Sequence, residues 1–126
     1  MTAVPDNKKI LSVAKTDFLR RTRQLSLRKA GYAVWSAKDF NDIETLSKSG
    51  TFDVAIIGYA FAPDVKRTIA EVIRKYFPNT PIVELTTTNA ADIPQSILSS
   101  PKPAELRATL RSLLQAAKVK KAGTAN

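Results

Sequence analysis

The stretch Asp53-Val54-Ala55-Ile56-Ile57-Gly58-Tyr59-Ala60 limits the fold more than any other part of the chain. Its centre is a continuous apolar run. A strand with one wet face alternates between apolar and polar residues, whereas a strand covered on both faces has no need to. The run therefore reads as a central strand of a parallel sheet with helices packed on each side. In open sheets of that kind, ligand chemistry gathers beyond the carboxyl ends of the strands. The residue at that end is Gly58, which offers no nucleophile, proton or metal ligand.

The flanking sequence supplies the remaining layers. Lys8 to Ala14 is a short strand rich in branched residues. Thr16 or Asp17 caps a helix running to about Ala30, with Leu19, Thr22, Ser26, Leu27 and Ala30 inward and Gly31 ending it. Tyr32 to Ala37 forms the second strand. A helix follows from about Asn41 to Lys48, with Ile43 and Leu46 inward and Gly50 as its stop. After Pro63 a helix to about Phe77 carries Val65, Ile69, Val72, Ile73 and Tyr76 at helical spacing. Ile82 to Thr86 is the fourth strand. Thr87 to Gln95 is polar, interrupted by Pro94, and has room for only one or two helical turns. Ile97 to Ser99 is a brief fifth strand. Pro103 suits the first turn of a last helix with Leu106, Leu110, Leu113, Leu114 and Ala117 inward. The order predicts an α/β fold: a three-layer, doubly wound, five-stranded parallel sheet of flavodoxin-like type with a shortened fourth helix. The domain spans 8–117, between a disordered lead-in at 1–7 and a basic flexible tail at 118–126.

Missing residue types narrow the chemistry. The 126 residues include no cysteine and no histidine, which removes thiolate chemistry, the commonest general base and the commonest metal ligand. Four glycines leave no Gly-x-Gly-x-x-Gly or Gly-x-x-x-x-Gly-Lys-Ser/Thr loop to cradle phosphate. No Gly-x-Ser-x-Gly elbow is present. No enzymatic activity, cofactor or metal is expected. No apolar run approaches the roughly 20 residues of a membrane span, and Met1 to Asp6 lacks the layout of a secretory signal. A cytoplasmic address follows as an expectation.

The net charge of +9 raises a nucleic-acid reading. Arg20, Arg21, Arg23, Arg28 and Lys29 fall in one predicted helix, and Lys118, Lys120 and Lys121 lie in the tail. Aromatic residues for base stacking are not interleaved with them. A solvated basic face that aids solubility is the plainer reading, with an acidic protein partner or nucleic acid as alternatives.

The signposts along the chain resemble those of the receiver domain of bacterial two-component response regulators. They are Ile10-Leu11-Ser12-Val13, Leu27-Arg28-Lys29-Ala30-Gly31-Tyr32-Ala33-Val34, Gly50-Thr51-Phe52-Asp53-Val54-Ala55-Ile56-Ile57 and Phe77-Pro78-Asn79-Thr80-Pro81-Ile82-Val83-Glu84-Leu85-Thr86. The resemblance covers roughly residues 8–117 and implies a receiver-like (βα)5 fold. It also implies a phosphoryl-accepting aspartate at the position of Gly58 and a magnesium-holding acidic pair at the positions of Ala14 and Lys15. Thr86 matches the threonine that contacts the phosphoryl group. The lysine-proline pair after the fifth strand matches either Ser100-Pro101, with the lysine lost, or Lys102-Pro103.

Other acids do not restore that pocket. Asp53 lies five residues before Gly58, some 16 Å away at about 3.3 Å per strand residue, and reads as structural. Asp17 reads as part of the helix cap, and Glu84 as a lone carboxylate inside a strand. Lys15 either snorkels to solvent or reaches into the pocket, and Tyr59 and Phe61 either fill it or form a contact surface. The chain thus reads as a degenerate pseudo-receiver, a phosphorylation-independent module in a two-component or phosphorelay context. Its expected partner is a protein, with homodimerisation through the face of the fourth and fifth strands and the last helix as one form. The alternative is a basic nucleic-acid-associated module.

Overall fold

The structure is a computed structural model that describes residues 8–124, with side chains to Gln115. In chain order it contains β1 (Lys9–Val13), α1 (Asp17–Lys29), β2 (Ala33–Ala37), α2 (Phe40–Ser47), β3 (Val54–Ile57), α3 (Pro63–Tyr76), β4 (Ile82–Leu85), β5 (Ile97–Ser99) and α4 (Pro103–Thr124). The strands form one parallel sheet in the order β2-β1-β3-β4-β5. The apolar run is its central strand, as its pattern predicted.

Both faces of β3 are covered. Val54 and Ile56 join a cluster with Leu27 of α1 and with Leu106 and Leu110 of α4. Ala55 and Ile57 point the other way, into a cluster with Ile43 of α2 and Ile69, Ala70 and Ile73 of α3. Alternate side chains therefore enter opposite cores, which is why all four strand positions are apolar. A fully buried isoleucine contributes about 1.5–3 kcal/mol by leaving water, so β3 ties the two layers together from both sides.

Helix starts and stops follow local chemistry. The Thr16 hydroxyl accepts from the Leu19 amide at 3.2 Å, so Thr16 is the cap of α1 and Asp17 its first residue, ion-paired to Arg20. Gly31, at φ +100, turns the chain out of α1 as expected. Asp39 caps α2 by accepting from the Asp42 amide at 3.0 Å. The opposite edge of the sheet holds an aromatic cluster. Trp35 of β2 meets the Phe52 ring edge-on at 5.7 Å, Phe52 meets Phe77 at 5.3 Å, and Lys9 Nζ lies 5.1 Å above the Trp35 ring. Asp53 sits at this edge, where its carboxylate accepts from the Lys9 amide at 2.7 Å.

Several details differ from the sequence reading. In α1 the inward position is taken by Arg23, while Thr22 and Ala30 are exposed. Val65 of α3 is exposed and Lys66 is buried. Between β4 and β5 the chain makes bends and turns and no helix, so the fourth helix is not merely shortened. The last helix runs on to Thr124, across most of the stretch expected to be a flexible tail. Ala116, Ala117, Lys118, Lys120, Lys121 and Ala122 all favour helix and outnumber Val119, Gly123 and Thr124, which do not. Residues 1–7, read as a disordered lead-in, lie outside the described residues, as do 125 and 126.

Candidate functional site

Four strands end at one edge, and the residues that follow them meet there. Ala14 and Lys15 follow β1, Gly58 follows β3, Thr86 follows β4, and Ser100 and Pro101 follow β5. The Gly58 amide donates to the Val13 carbonyl at 2.9 Å, and the Thr86 amide to the Ser99 carbonyl at 3.0 Å, so the loops leave the sheet in register. Ala14 is buried and Lys15 is exposed. The Thr86 hydroxyl accepts from the Thr88 amide at 3.1 Å, a contact within its own loop. Ser100 directly follows the strand and accepts from the Lys102 amide at 3.2 Å, whereas exposed Lys102 and Pro103 open α4.

The group that lies against Gly58 is one the sequence reading placed on a solvated face. A Cβ built on Gly58 would stand 3.4 Å from Arg23 Nη1 and 3.3 Å from the Val13 carbonyl oxygen. Arg23 is only 7% exposed, and its Nη1 is sealed from solvent without a hydrogen-bond partner. Burial pushes its guanidinium below the usual range, and Tyr59 acts in the opposite direction. Arginine nonetheless keeps its charge in proteins, and no carboxylate among the described residues pairs with it. Arg20 reaches the same edge from one turn earlier, donating to the carbonyls of Ala14 at 2.9 Å and Lys15 at 3.2 Å. Leu19, Arg23 and Leu27 are spaced by four, which sets them on one helix face. That spacing was the available sign that Arg23 points inward.

These residues do not fit a magnesium ion, which needs oxygen ligands. Ala14 supplies a methyl group, Gly58 none, and the nearest charged group is a guanidinium. Among the described residues no group of three or more metal-capable side chains occurs. Tyr59 and Phe61 separate: Phe61 packs against the α2–α3 core, while Tyr59 lines a cleft of about 260 Å³ with Arg23, Leu27, Lys102 and Leu106. The basic helix face is also partly engaged, since Arg28 donates to the Val34 carbonyl at 3.1 Å. Arg21 and Lys29 remain exposed.

A second polar centre explains the connection that lacks a helix. Glu84 of β4 is fully buried. Its Oε2 accepts from Lys66 Nζ at 3.1 Å and the Asp92 amide at 2.9 Å, and its Oε1 from the Ile93 amide at 3.1 Å and the Ser96 hydroxyl at 2.8 Å. Lys66, itself buried, also reaches Asp92 Oδ2 at 3.3 Å. Far from being alone, Glu84 organises the whole loop from Thr86 to Ser96. Gln95 adopts φ 61, unusual for a residue with a side chain, and the Pro94 carbonyl accepts from Arg74 at 2.7 Å. Ile93 drops into the α2–α3 core. One carboxylate thus gathers the amides that a helix would otherwise have satisfied internally.

Burial opposes the charge on Glu84, but the Asp92 amide, the Ser96 hydroxyl, the Ile93 amide and Lys66 together outweigh it and hold its carboxyl below the usual range. A carboxyl lowered in the folded state contributes stability that is complete above the unfolded pKa of about 4.3. That contribution is lost as pH falls through the lowered folded value. Urea midpoints measured between pH 7 and pH 3 should therefore drop at the acid end, and the drop should be shallower in Glu84→Gln. Identical acid profiles for the two proteins would assign the loss to other groups.

The fold and its open edge place the chain in the receiver type of doubly wound α/β domains. Solved structures bear this out. The chemotaxis response regulator CheY4 of Vibrio cholerae matches at 22% identity over 84% of this chain and 98% of that one, with a TM-score of 0.70. A response regulator receiver protein from Sinorhizobium medicae matches at 25% identity over 88% and 97%, with a TM-score of 0.69. The response regulator TrrA of Thermotoga maritima, solved in complex with the histidine kinase ThkA, gives 24% identity over 85% and 98%, with a TM-score of 0.65. No family model and no curated relative matches the chain.

Proposed function

We propose that this chain is a non-catalytic, receiver-like signalling module that acts without phosphorylation, by binding a protein partner in a two-component or phosphorelay setting. The observation that carries the reading is the guanidinium of Arg23 beside Gly58. A receiver pocket gathers carboxylates around a cation, whereas this edge offers Ala14, Lys15 and Gly58 with an arginine in their midst. The loss of the fourth helix favours the same reading, because the connection there is fixed around Glu84. A segment tied by three hydrogen bonds to one buried carboxylate, itself paired with Lys66 of α3, is poorly suited to switching between two arrangements. A cytoplasmic setting agrees with the absence of any helix, among the described residues, long and apolar enough to cross a membrane.

The test is incubation with acetyl phosphate and magnesium, read by intact mass. No gain of a phosphoryl group is expected for the native chain. None is expected for Gly58→Asp either, because the new carboxylate meets Arg23 and still lacks acidic neighbours at Ala14 and Lys15. A stable single phosphoryl gain on the native chain would overturn the reading. Efficient magnesium-dependent modification of the aspartate variant would show that the rest of the pocket had remained competent.

A further inference from the structure

Arg23 poses a problem that the signalling role leaves open. An arginine this buried normally meets a carboxylate, since an uncompensated charge in a low-dielectric site is costly. Here the described residues supply neither an ion pair nor a partner for Nη1. Nor is the site a chance fold of surface residues. Arg23 occupies a helix position flanked by Leu19 and Leu27, so the sequence places a cation where packing alone calls for an apolar side chain.

The surroundings of that cation are those of a small-molecule site. The cleft lies between α1 and the start of α4, with Pro101, Pro103 and Leu106 forming apolar wall opposite α1. Thr22, Ser26 and Tyr59 bring hydroxyl groups to its lining, and Lys102 adds a second positive charge at its edge. Arg107 donates to the Ser26 hydroxyl at 3.2 Å, tying the two helices beside the cleft. An apolar concavity with a few polar groups is the usual make-up of a ligand pocket, and a volume of about 260 Å³ suits a small one. The charge of a guanidinium is spread over its three nitrogens. An anion in the cleft therefore offsets that charge without having to reach Nη1 itself.

We propose that this cleft binds a small organic anion, a single carboxylate or phosphate group on a short apolar body, with Arg23 as the residue that pairs with its head and Lys102 as a supporting charge. The apolar body lies against Leu27 and Leu106. The proposal goes beyond the signalling role and does not depend on it, because ligand titration and phosphoryl mass are separate readouts.

The test titrates the full chain with benzoate and with phenyl phosphate, following backbone and arginine side-chain NMR signals. Inorganic phosphate and benzamide serve as the anion without a body and the body without a charge. Saturable shifts centred on Arg23, Gly58, Tyr59 and Lys102 are expected with at least one of the two organic anions. Which of them binds identifies the preferred head. Arg23→Met should weaken that binding at least about tenfold, as loss of a charge-assisted contact does. Lys102→Gln, at an exposed position, should weaken it by a smaller factor and keeps the test open should the first variant not fold. The proposal fails if neither organic anion saturates, if benzamide or inorganic phosphate binds as well as they do, or if Arg23→Met binds unchanged.

Discussion

Glu84→Gln is expected to destabilise the fold by about 3–5 kcal/mol at neutral pH, the range for breaking a buried, hydrogen-bonded ion pair. The reason lies in the acceptor count. Both oxygens of Glu84 are occupied, each by one backbone amide and one side-chain donor. Glutamine keeps one oxygen and presents an NH2 group in place of the other, so two donors face a donor. If the oxygen stays with Ile93 and Ser96, the Lys66 ammonium remains buried with the Leu85 carbonyl at 3.3 Å and the part-exposed Asp92 carboxylate at 3.3 Å as its remaining acceptors. Chemical denaturation should show a lower urea midpoint with little change in slope. Amide exchange should quicken across residues 86–96 more than in β3. A loss under about 1 kcal/mol would mean that water or a rearranged loop replaces the missing acceptor. Lys66→Met makes a useful companion, because it leaves the two amides and the Ser96 hydroxyl on Glu84 and should cost less.

Arg23→Met should change stability in the opposite direction, raising it by about 1–3 kcal/mol, the scale of an unsatisfied buried polar group removed. Methionine is unbranched and adapts to irregular space, so it can follow the path of the arginine stem between Leu19 and Leu27. It removes Nη1, which has no partner, from its place beside Gly58. A higher urea midpoint for the variant would identify Arg23 as a residue kept at a cost to the fold, the pattern of functional positions. A clear drop in stability would instead mean that the guanidinium is already satisfied within the protein.

The fold was legible because it rests on periodicity. The unbroken apolar run of β3, the four-residue spacing of Ile69 and Ile73, and the leucines of α4 all report burial directly. The brief strand Ile97–Ser99 was also marked by its flanking breakers. What stayed hidden were the charged residues that point inward. Arg23 and Lys66 sit at inward positions of their helices, but long basic side chains usually lie along the surface with their heads in water. Apolar spacing marked these helix positions as inward, but it does not tell a charged head that stays buried from one that turns back to water. Glu84 stood out as an acid within Ile-Val-Glu-Leu, yet its partners come from α3 and from a loop with no regular period. The edge positions Ala14, Lys15, Gly58 and Thr86 could be placed by counting along strands. The arginine that meets Gly58 could not, because the contact depends on how α1 lies across the sheet.

The aromatic cluster at the far edge gives the molecule a built-in optical division of labour. Trp35 is the chain's single tryptophan, in the middle of β2 and held between Phe52 and the Lys9 ammonium, which lie where β3 and β1 begin. Its emission therefore reports whether the sheet is intact at the edge opposite to Gly58. Tyr59, by contrast, stands within the cleft that Arg23 lines. Unfolding and occupancy of the cleft can thus be followed in one sample through two different chromophores, with no label attached, once Tyr32 and Tyr76, the other two of the chain's three tyrosines, are changed to phenylalanine.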